Sequence, residues 1–327
     1  MLFKILFFPA KLAIHFYCRR ITINDKRWLN EKGPLLIAAN HPNSFLDAII
    51  VSTLFNNPVF SLARGDAFAG KFFTTILTSL NMLPVYRITE GAENIGRNYS
   101  TFEACQQLFK DNKIVLIFSE GRCINEWRLR PLKKGTARLA LDAWEKNIPL
   151  KILPLGINYS SFRFYGKNVI LNFGNVILKK DFIFHSKGKA INEFNEKLNA
   201  QLSTLVYEID KNDISKQGEV FFIKNSTLKK MILFIPAAIG FIINSPLYFL
   251  FHFIIKNRSK DHYDSIMTGL LFLFYPLYVL TITMAVFLIS KSWYSLLILV
   301  LLPFTAWSYL QLKRQIPNKK RDDLWVY

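Results

Sequence analysis

The C-terminal third of the chain contains three long apolar stretches, and these constrain the fold most strongly. Residues 231–255, 266–289 and 293–310 lack acidic and strongly basic side chains and measure 25, 24 and 18 residues. A bilayer-spanning helix needs about 20 such residues. Trp293-Tyr294 and Trp307 stand near the ends of the last stretch, where interfacial aromatic residues belong. We predict a membrane domain of two or three hydrophobic helices over residues 231–310; the alternative is a buried soluble hairpin.

The first apolar stretch differs from the other two in its middle. Pro236, Gly240 and the run Asn244-Ser245-Pro246 interrupt it, which predicts a re-entrant or interfacial helix pair rather than a crossing. The last two stretches then form a hairpin turning at Lys291, and residues 311–327 form a basic cytoplasmic tail. Three full crossings are the alternative, although they place the basic segments on opposite sides of the membrane.

The net charge of +19, with 51% hydrophobic residues, indicates contact with anionic partners. Excess positive charge is typical of proteins that bind nucleic acid, anionic membranes or phosphorylated substrates. The sequence has no nucleic-acid-binding motif, so we predict membrane lipids as partners and no nucleic acid. The three cysteines are widely separated, which predicts no disulfide framework, and the five histidines are too scattered to predict a metal site.

The N-terminal segment, residues 1–20, is apolar but interrupted by Lys4, Pro9 and Lys11. It is too short and too charged to span a bilayer, and the sequence that follows does not favour a secretory signal. We predict an amphipathic helix lying on the membrane surface; a helix docked on the core is the alternative. Residues 211–230, at the other end of the polar region, are charged and predict a linker.

Between these segments, residues 21–210 alternate between short apolar runs and amphipathic stretches. The runs at 35–39, 59–63, 82–85, 114–118 and 150–155 predict strands, separated by helices. Such alternation predicts an α/β fold with a mostly parallel sheet and flanking helices. Polar side chains that follow strands collect at the carboxyl edge of a parallel sheet, and His41, Arg87 and Glu120 each do so.

His41 follows the first buried run, and Asp47 comes six positions later in the first turn of a predicted helix with Ser44 as its N-cap. From there a carboxylate can reach one imidazole nitrogen. The pair lacks a nucleophile of its own, so it predicts that His41 takes a proton from a substrate hydroxyl. A turn histidine bound to the backbone is the alternative.

Four blocks of the sequence resemble the glycerol-phosphate acyltransferase family, which includes the lysophosphatidate acyltransferases. The blocks are Asn40-His41 with Asp47, Leu83 to Arg87, Phe118 to Arg122, and Ile152 to Gly156, within roughly residues 30–210. Five residues separate His41 from Asp47 where the family has four, which resembles the yeast-type glycerol-3-phosphate acyltransferase branch. Ser119 stands where the family has proline, and Arg122-Cys123 replaces its usual Thr-Arg.

The resemblance implies a role for each matching residue. His41 is the catalytic base and Asp47 orients it, Arg87 binds the acceptor phosphate, and Glu120 and Gly121 orient the acceptor. From charge alone we add Arg122, Lys133 and Lys134 as phosphate-binding residues. The segment Leu153-Pro154-Leu155 lines the path of the acyl chain or is only a buried strand.

The predicted function is therefore transfer of a fatty acyl chain from an acyl thioester to a hydroxyl of lysophosphatidate or glycerol-3-phosphate, in phospholipid biosynthesis. The donor is acyl-CoA or an acyl carrier protein, and no cofactor or metal is expected. The catalytic domain of this integral membrane protein is expected on the cytoplasmic face. The alternatives are acylation of a lyso-aminolipid and a non-catalytic lipid-binding or remodelling role.

Overall fold

The computed structural model describes residues 2–86, 92–182, 186–257 and 260–316, with the side chains of 92–97, 187 and 260 left aside. Within these ranges the chain forms two compact units. The first comprises residues 2–11, 22–158 and 170–208, and the second comprises 12–21, 159–169 and 209–316. The catalytic domain was predicted over residues 21–210. The first unit differs from it mainly in residues 159–169, which belong to the second unit.

The first unit is built on a seven-stranded sheet in the order β1-β7-β6-β2-β5-β3-β4. The strands are β1 (Cys18–Ile23), β2 (Leu35–Ala39), β3 (Val59–Arg64), β4 (Met82–Val85), β5 (Ile114–Phe118), β6 (Lys151–Tyr159) and β7 (Lys167–Phe173). Strands β1 and β7 begin in the second unit and end in the first. The central pairings β6–β2, β2–β5, β5–β3 and β3–β4 are all parallel. The predicted fold class is confirmed.

Helices flank this sheet: α2 (Phe45–Leu54), α3 (Gly70–Ser79), α4 (Ala92–Lys110), α5 (Gly135–Glu145) and α6 (Lys187–Leu205), preceded by α1 (Leu2–Tyr17). Strand β2 is buried at all five positions, which explains its uninterrupted apolar sequence. The core continues into α5, where Trp144 is buried and donates its indole N–H to the carbonyl of Leu150. Helix α1 exposes Ile5, Phe8 and Leu12 along one side, with Lys4 and Lys11 exposed among them, and its position on a membrane stays a prediction.

The second unit contains α7 (Ile214–Phe221), α8 (Thr227–Ile255), α9 (Tyr263–Ser290) and α10 (Ile298–Leu312). Helix α7 lies inside the predicted linker and buries Gln217 and Phe221, so part of that charged segment is packed structure. Helices α8, α9 and the 293–312 segment are each long and apolar enough to cross a membrane.

Helix α8 is continuous through Asn244-Ser245-Pro246, so the break predicted there is wrong. Tyr278 donates its hydroxyl to the carbonyl of Ile243, which provides a partner for a backbone group beside Pro246. Tyr275 donates to the side chain of Asn244, whose amide bonds the carbonyl of Gly240. Tertiary hydrogen bonds of this kind join α8 to α9 beside Pro246 and cannot be deduced from local sequence.

Helix α8 contacts neighbouring parts of the second unit near its start and in its last third. Near its start, Lys229 donates to the side-chain oxygen of Gln311 at 2.7 Å. Nineteen residues later, the ring of Tyr248 lies 5.8 Å from the ammonium of Lys313 and 6.2 Å from the ring of Tyr165. The end of α10 therefore reaches points on α8 that are about 28 Å apart along the helix axis.

Candidate active site

His41 lies just past the carboxyl end of β2, and Asn40 fixes the backbone there. The Asn40 side chain is 2% exposed and bonds Ile157 of β6 twice, accepting from its N–H at 2.7 Å and donating to its carbonyl at 3.0 Å. These two bonds hold the end of β2 against the neighbouring strand. Asn40 precedes His41 in the sequence, but no role was predicted for its side chain.

His41 and Asp47 form the predicted dyad. The imidazole Nδ1 lies 2.9 Å from a carboxylate oxygen of Asp47, which is fully buried and also accepts the backbone N–H of Asn43 at 2.8 Å. The side chain of His41 remains 18% exposed. A proton on Nδ1 facing the carboxylate leaves the lone pair on Nε2, the arrangement that a general base requires.

Phe118, the last residue of β5, fixes the plane of the imidazole. The two rings are stacked, with centroids 3.9 Å apart and planes inclined by 10°. Because β2 and β5 pair in register, with Ala39 opposite Phe118, the His41 ring is held by both a carboxylate and an aromatic face. Phe118 begins one of the four sequence blocks that resemble the acyltransferases, but its stacking on His41 was not predicted.

The turn between His41 and Asp47 accommodates the additional residue. Ser44 adopts a left-handed φ of 54° and precedes α2, but its side chain makes no capping bond with the helix. The backbone N–H of Ser44 instead lies 2.9 Å from the sulfur of Cys123. With five intervening residues the dyad still closes, as the sequence predicts, although N-capping by the Ser44 hydroxyl is not observed.

Glu120 lies in the site but uses its carboxylate to hold two loops. One oxygen accepts the backbone N–H of His41 at 3.0 Å and the other accepts the backbone N–H of Arg130 at 2.9 Å. The residue is only 4% exposed. Burial raises the pKa of its carboxyl above the usual value, and the bonds from Arg130 and His41 oppose that shift. Glu120 thus positions the His41 backbone, whereas orientation of the acceptor stays a prediction.

The loop after Glu120 carries the predicted cationic residues. Gly121 takes a φ of 63°, and its N–H donates to the carbonyl of Phe118, closing a tight turn. Arg122, Lys133 and Lys134 are exposed, and Lys134 precedes the first residue of α5. An anion at this loop would meet these charges and the N-terminal end of the helix.

Two other basic residues of the loop are already engaged. Arg128 and Arg130 both form ion pairs with Glu126, the latter at 3.1 Å. Arg122, Lys133 and Lys134 are therefore better candidates for substrate contact than these two arginines. Their role in binding phosphate stays a prediction.

Four predicted site residues remain. Three of them lie in the buried strand β6, and the fourth lies outside the residues that the structure describes. Leu153 and Leu155 are completely buried in β6, and Pro154 pairs with Ala38 of β2. Their position is that of a central strand, the second of the two interpretations of this segment. Arg87 lies outside the described residues.

The comparisons with known proteins concern the same region. A model of the acyltransferase family matches residues 20–158. Among solved structures, the 1-acyl-sn-glycerophosphate (LPA) acyltransferase PlsC from Thermotoga maritima is 13% identical, with a TM-score of 0.41 over 62% of this chain and 79% of that chain. No curated protein sequence matches the chain. Residues 20–158 therefore carry a domain similar to the acyltransferase family, and every candidate site residue lies inside it.

Proposed function

We propose that the protein is a membrane-bound glycerolipid acyltransferase of the lysophosphatidate or glycerol-3-phosphate type. The observation that carries the proposal is the His41–Asp47 pair, held at 2.9 Å inside the stretch that matches the acyltransferase family. The five-residue spacing favours the yeast-type glycerol-3-phosphate branch. The donor is an acyl thioester, either acyl-CoA or an acyl carrier protein.

In the proposed reaction His41 acts as a general base toward the acceptor. Nε2 removes the hydroxyl proton while the acceptor oxygen attacks the thioester carbonyl, forming a tetrahedral oxyanion. Collapse of this intermediate breaks the C–S bond, and the departing thiolate takes the proton back from the imidazolium. Asp47 stabilises the imidazolium formed between these steps and keeps the ring in the required tautomer.

The acceptor phosphate is proposed to bind at the loop carrying Arg122, Lys133 and Lys134, together with Arg87. Three exposed cations beside a general base suit a phosphorylated acceptor, because charge-assisted bonds to phosphate are stronger than neutral ones. This feature favours a phosphorylated acceptor over a lyso-aminolipid.

The catalytic unit is proposed to lie on the cytoplasmic face. Asp264, at the start of α9, forms a buried ion pair with Lys167 and accepts the hydroxyl of Tyr17 at 2.7 Å. At the end of α10, Gln315 accepts from Asn168 at 2.7 Å. These contacts support a topology in which the start of α9 and the end of α10 share one side of the membrane.

That topology makes α9 and α10 a spanning hairpin, with Lys291 alone on the far side. Helix α8 contacts the end of α10 at both Lys229 and Tyr248, and its residues Ile243 and Asn244 bond Tyr278 and Tyr275 of α9. The basic residues that follow α8 and α10 are retained on the cytoplasmic side, in accord with the positive-inside tendency.

The test is acceptor-dependent thiol release by the purified full-length protein. Acyl-CoA and an acyl carrier protein are each offered with lysophosphatidate, glycerol-3-phosphate and a lyso-aminolipid, and His41→Ala serves as the inactive control. We expect release of free thiol only with a phosphorylated acceptor. Release that is equal with every acceptor, or equal in His41→Ala, would contradict the proposal.

A further inference from the structure

The first turn of α3 presents two phenylalanines to solvent. Phe72 is 70% exposed and Phe73 is 56% exposed, with their ring centroids 5.5 Å apart in an edge-on arrangement. None of the ten residues of α3 is buried. Large aromatic side chains are usually covered in a folded protein, so an exposed adjacent pair indicates a contact surface.

The two phenylalanines belong to the apolar side of an amphipathic helix. Ile76 and Leu77, one turn later, are half-buried on that side. The opposite side carries threonines, and Thr74 and Thr75 donate their hydroxyls to carbonyls within α3. A short helix whose apolar side begins with an exposed aromatic pair is the pattern of an interfacial helix.

The sheet topology places this turn at the same edge as the catalytic dyad. Strand β3 pairs in parallel with β5, and β5 pairs in parallel with β2, so their carboxyl ends share one edge. His41 follows β2, and Arg64 ends β3 only six residues before α3 begins at Gly70. The Phe72–Phe73 pair therefore lies toward the edge from which substrates reach His41.

Basic residues at this edge of the sheet indicate which kind of surface α3 would contact. The loop after β5 carries exposed Arg122, Lys133 and Lys134 at this edge, and Lys71, one residue before the aromatic pair, is exposed on the threonine side of α3. Aromatic and apolar side chains at an edge that also carries lysine and arginine suit the headgroup region of an anionic bilayer, which attracts basic residues. The candidate membrane-spanning helices of the same chain keep such a surface within reach.

We propose that the first turn of α3 docks on the anionic bilayer, with Phe72 and Phe73 inserted at the level of the lipid headgroups. Docking turns the carboxyl edge of the sheet toward the membrane, so that a lipid acceptor reaches His41 without leaving the bilayer. The delivery of an acceptor rests on the proposed function, whereas the docking does not.

The docking is tested by site-directed fluorescence on the full-length protein in vesicles containing anionic lipid. Phe72→Cys and Phe73→Cys are labelled with an environment-sensitive dye, in a background that carries Cys123→Ser because Cys18 and Cys105 are buried. Thr78→Cys is the matched control, because it is exposed and lies about 120° around the helix from Phe72 and about 140° from Phe73. We expect strong quenching by lipids spin-labelled near the headgroup at 72 and 73, and weak quenching at 78.

Equal quenching at the three positions, with full access to a water-soluble quencher, overturns the docking. If a labelled variant fails to fold, hydrogen exchange on the wild-type protein replaces it. Amides of residues 70–79 should exchange more slowly in anionic nanodiscs than in an amphipathic polymer that covers only the spanning helices. Unchanged exchange in this segment contradicts the proposal.

The delivery is tested separately by activity. Phe72→Ser/Phe73→Ser should lower the rate on lysophosphatidate in vesicles by about tenfold, because the burial of two rings is lost. Phe72→Leu/Phe73→Leu should retain most of the rate, and Tyr99→Ser, which alters an exposed aromatic residue on α4, should retain all of it. Equal rates for the serine and leucine variants would overturn the proposal that docking delivers the acceptor to His41. Absence of activity in the wild type would refute the proposed function, but the fluorescence result on docking would still stand.

Discussion

Replacing Glu120 by glutamine tests whether this carboxylate positions the site or contacts the acceptor. Its two oxygens accept backbone N–H groups from His41 and Arg130, and the side chain is almost completely buried. A glutamine amide supplies one acceptor oxygen and presents its NH₂ group to the second donor. We therefore expect Glu120→Gln to destabilise the first unit and to slow acyl transfer.

The expected magnitude follows from one buried N–H that loses its acceptor. Such a loss costs about 1–3 kcal/mol. In a domain of 150–250 residues this lowers the thermal midpoint by roughly 2–12 °C. The matched control is Glu126→Gln in the same loop, whose partly exposed ion pairs with Arg128 and Arg130 should contribute about 0–1 kcal/mol.

The same variant predicts a change in the pH dependence of stability. Because burial raises the pKa of Glu120 in the folded protein, the folded state binds more proton than the unfolded state between the two values. Stability therefore falls as the pH rises from the ordinary glutamate pKa through the raised one, and levels off above it. Glu120→Gln should remove this contribution, so the midpoint of the variant should lie furthest below that of the wild type at the low end of this pH range and come closer to it at the high end. Thermal midpoints of both proteins across the range measure this.

Thermal unfolding of the full-length protein in detergent, followed by tryptophan fluorescence, provides the measurement together with steady-state kinetics. A midpoint equal to that of the wild type would refute the positioning role. An unchanged midpoint combined with a raised Michaelis constant for the acceptor alone would support direct contact with the acceptor.

Three further predictions concern neighbouring features. Asn40→Ala leaves a buried N–H and a buried carbonyl of β6 without partners and should lower the thermal midpoint more than Glu120→Gln does, since two groups are lost; an unchanged midpoint would contradict this. Arg122→Ala, and more strongly Arg87→Ala, should raise the Michaelis constant for a phosphorylated acceptor and leave that for the donor unchanged; unchanged acceptor values in both would remove them from phosphate recognition. In intact cells, an impermeant thiol reagent should label a single cysteine at 291 and not at 256, and the reverse pattern would overturn the proposed topology.

The dyad and its setting could be predicted from the sequence because the signals are local. An apolar run of five residues indicated β2, and the histidine at its end lay at the carboxyl edge, where the sites of parallel sheets gather. Asp47 lies a fixed distance along the chain from His41, so its reach depends on a short turn and little else. The turn contains Ser44 in a left-handed backbone conformation, and the dyad closes across it at 2.9 Å.

The supporting contacts were not predictable because they join residues far apart in sequence. Glu120 bonds the backbone of His41 across 79 positions, and Asn40 bonds Ile157 across 117. No periodicity or composition records such pairs. For the same reason the sequence predicted a break in α8 at Pro246, where tyrosines of α9 bond the carbonyl of Ile243 and the side chain of Asn244.

The central claim is that His41 is the general base of an acyl transfer. The most direct measurement is the rate of acylated product formation by His41→Ala and wild-type protein, with circular dichroism and thermal midpoints confirming that both are folded. A general base contributes about 10²–10⁴-fold in rate, so we expect a loss of that size in His41→Ala. A folded His41→Ala protein that forms product at close to the wild-type rate would contradict the account.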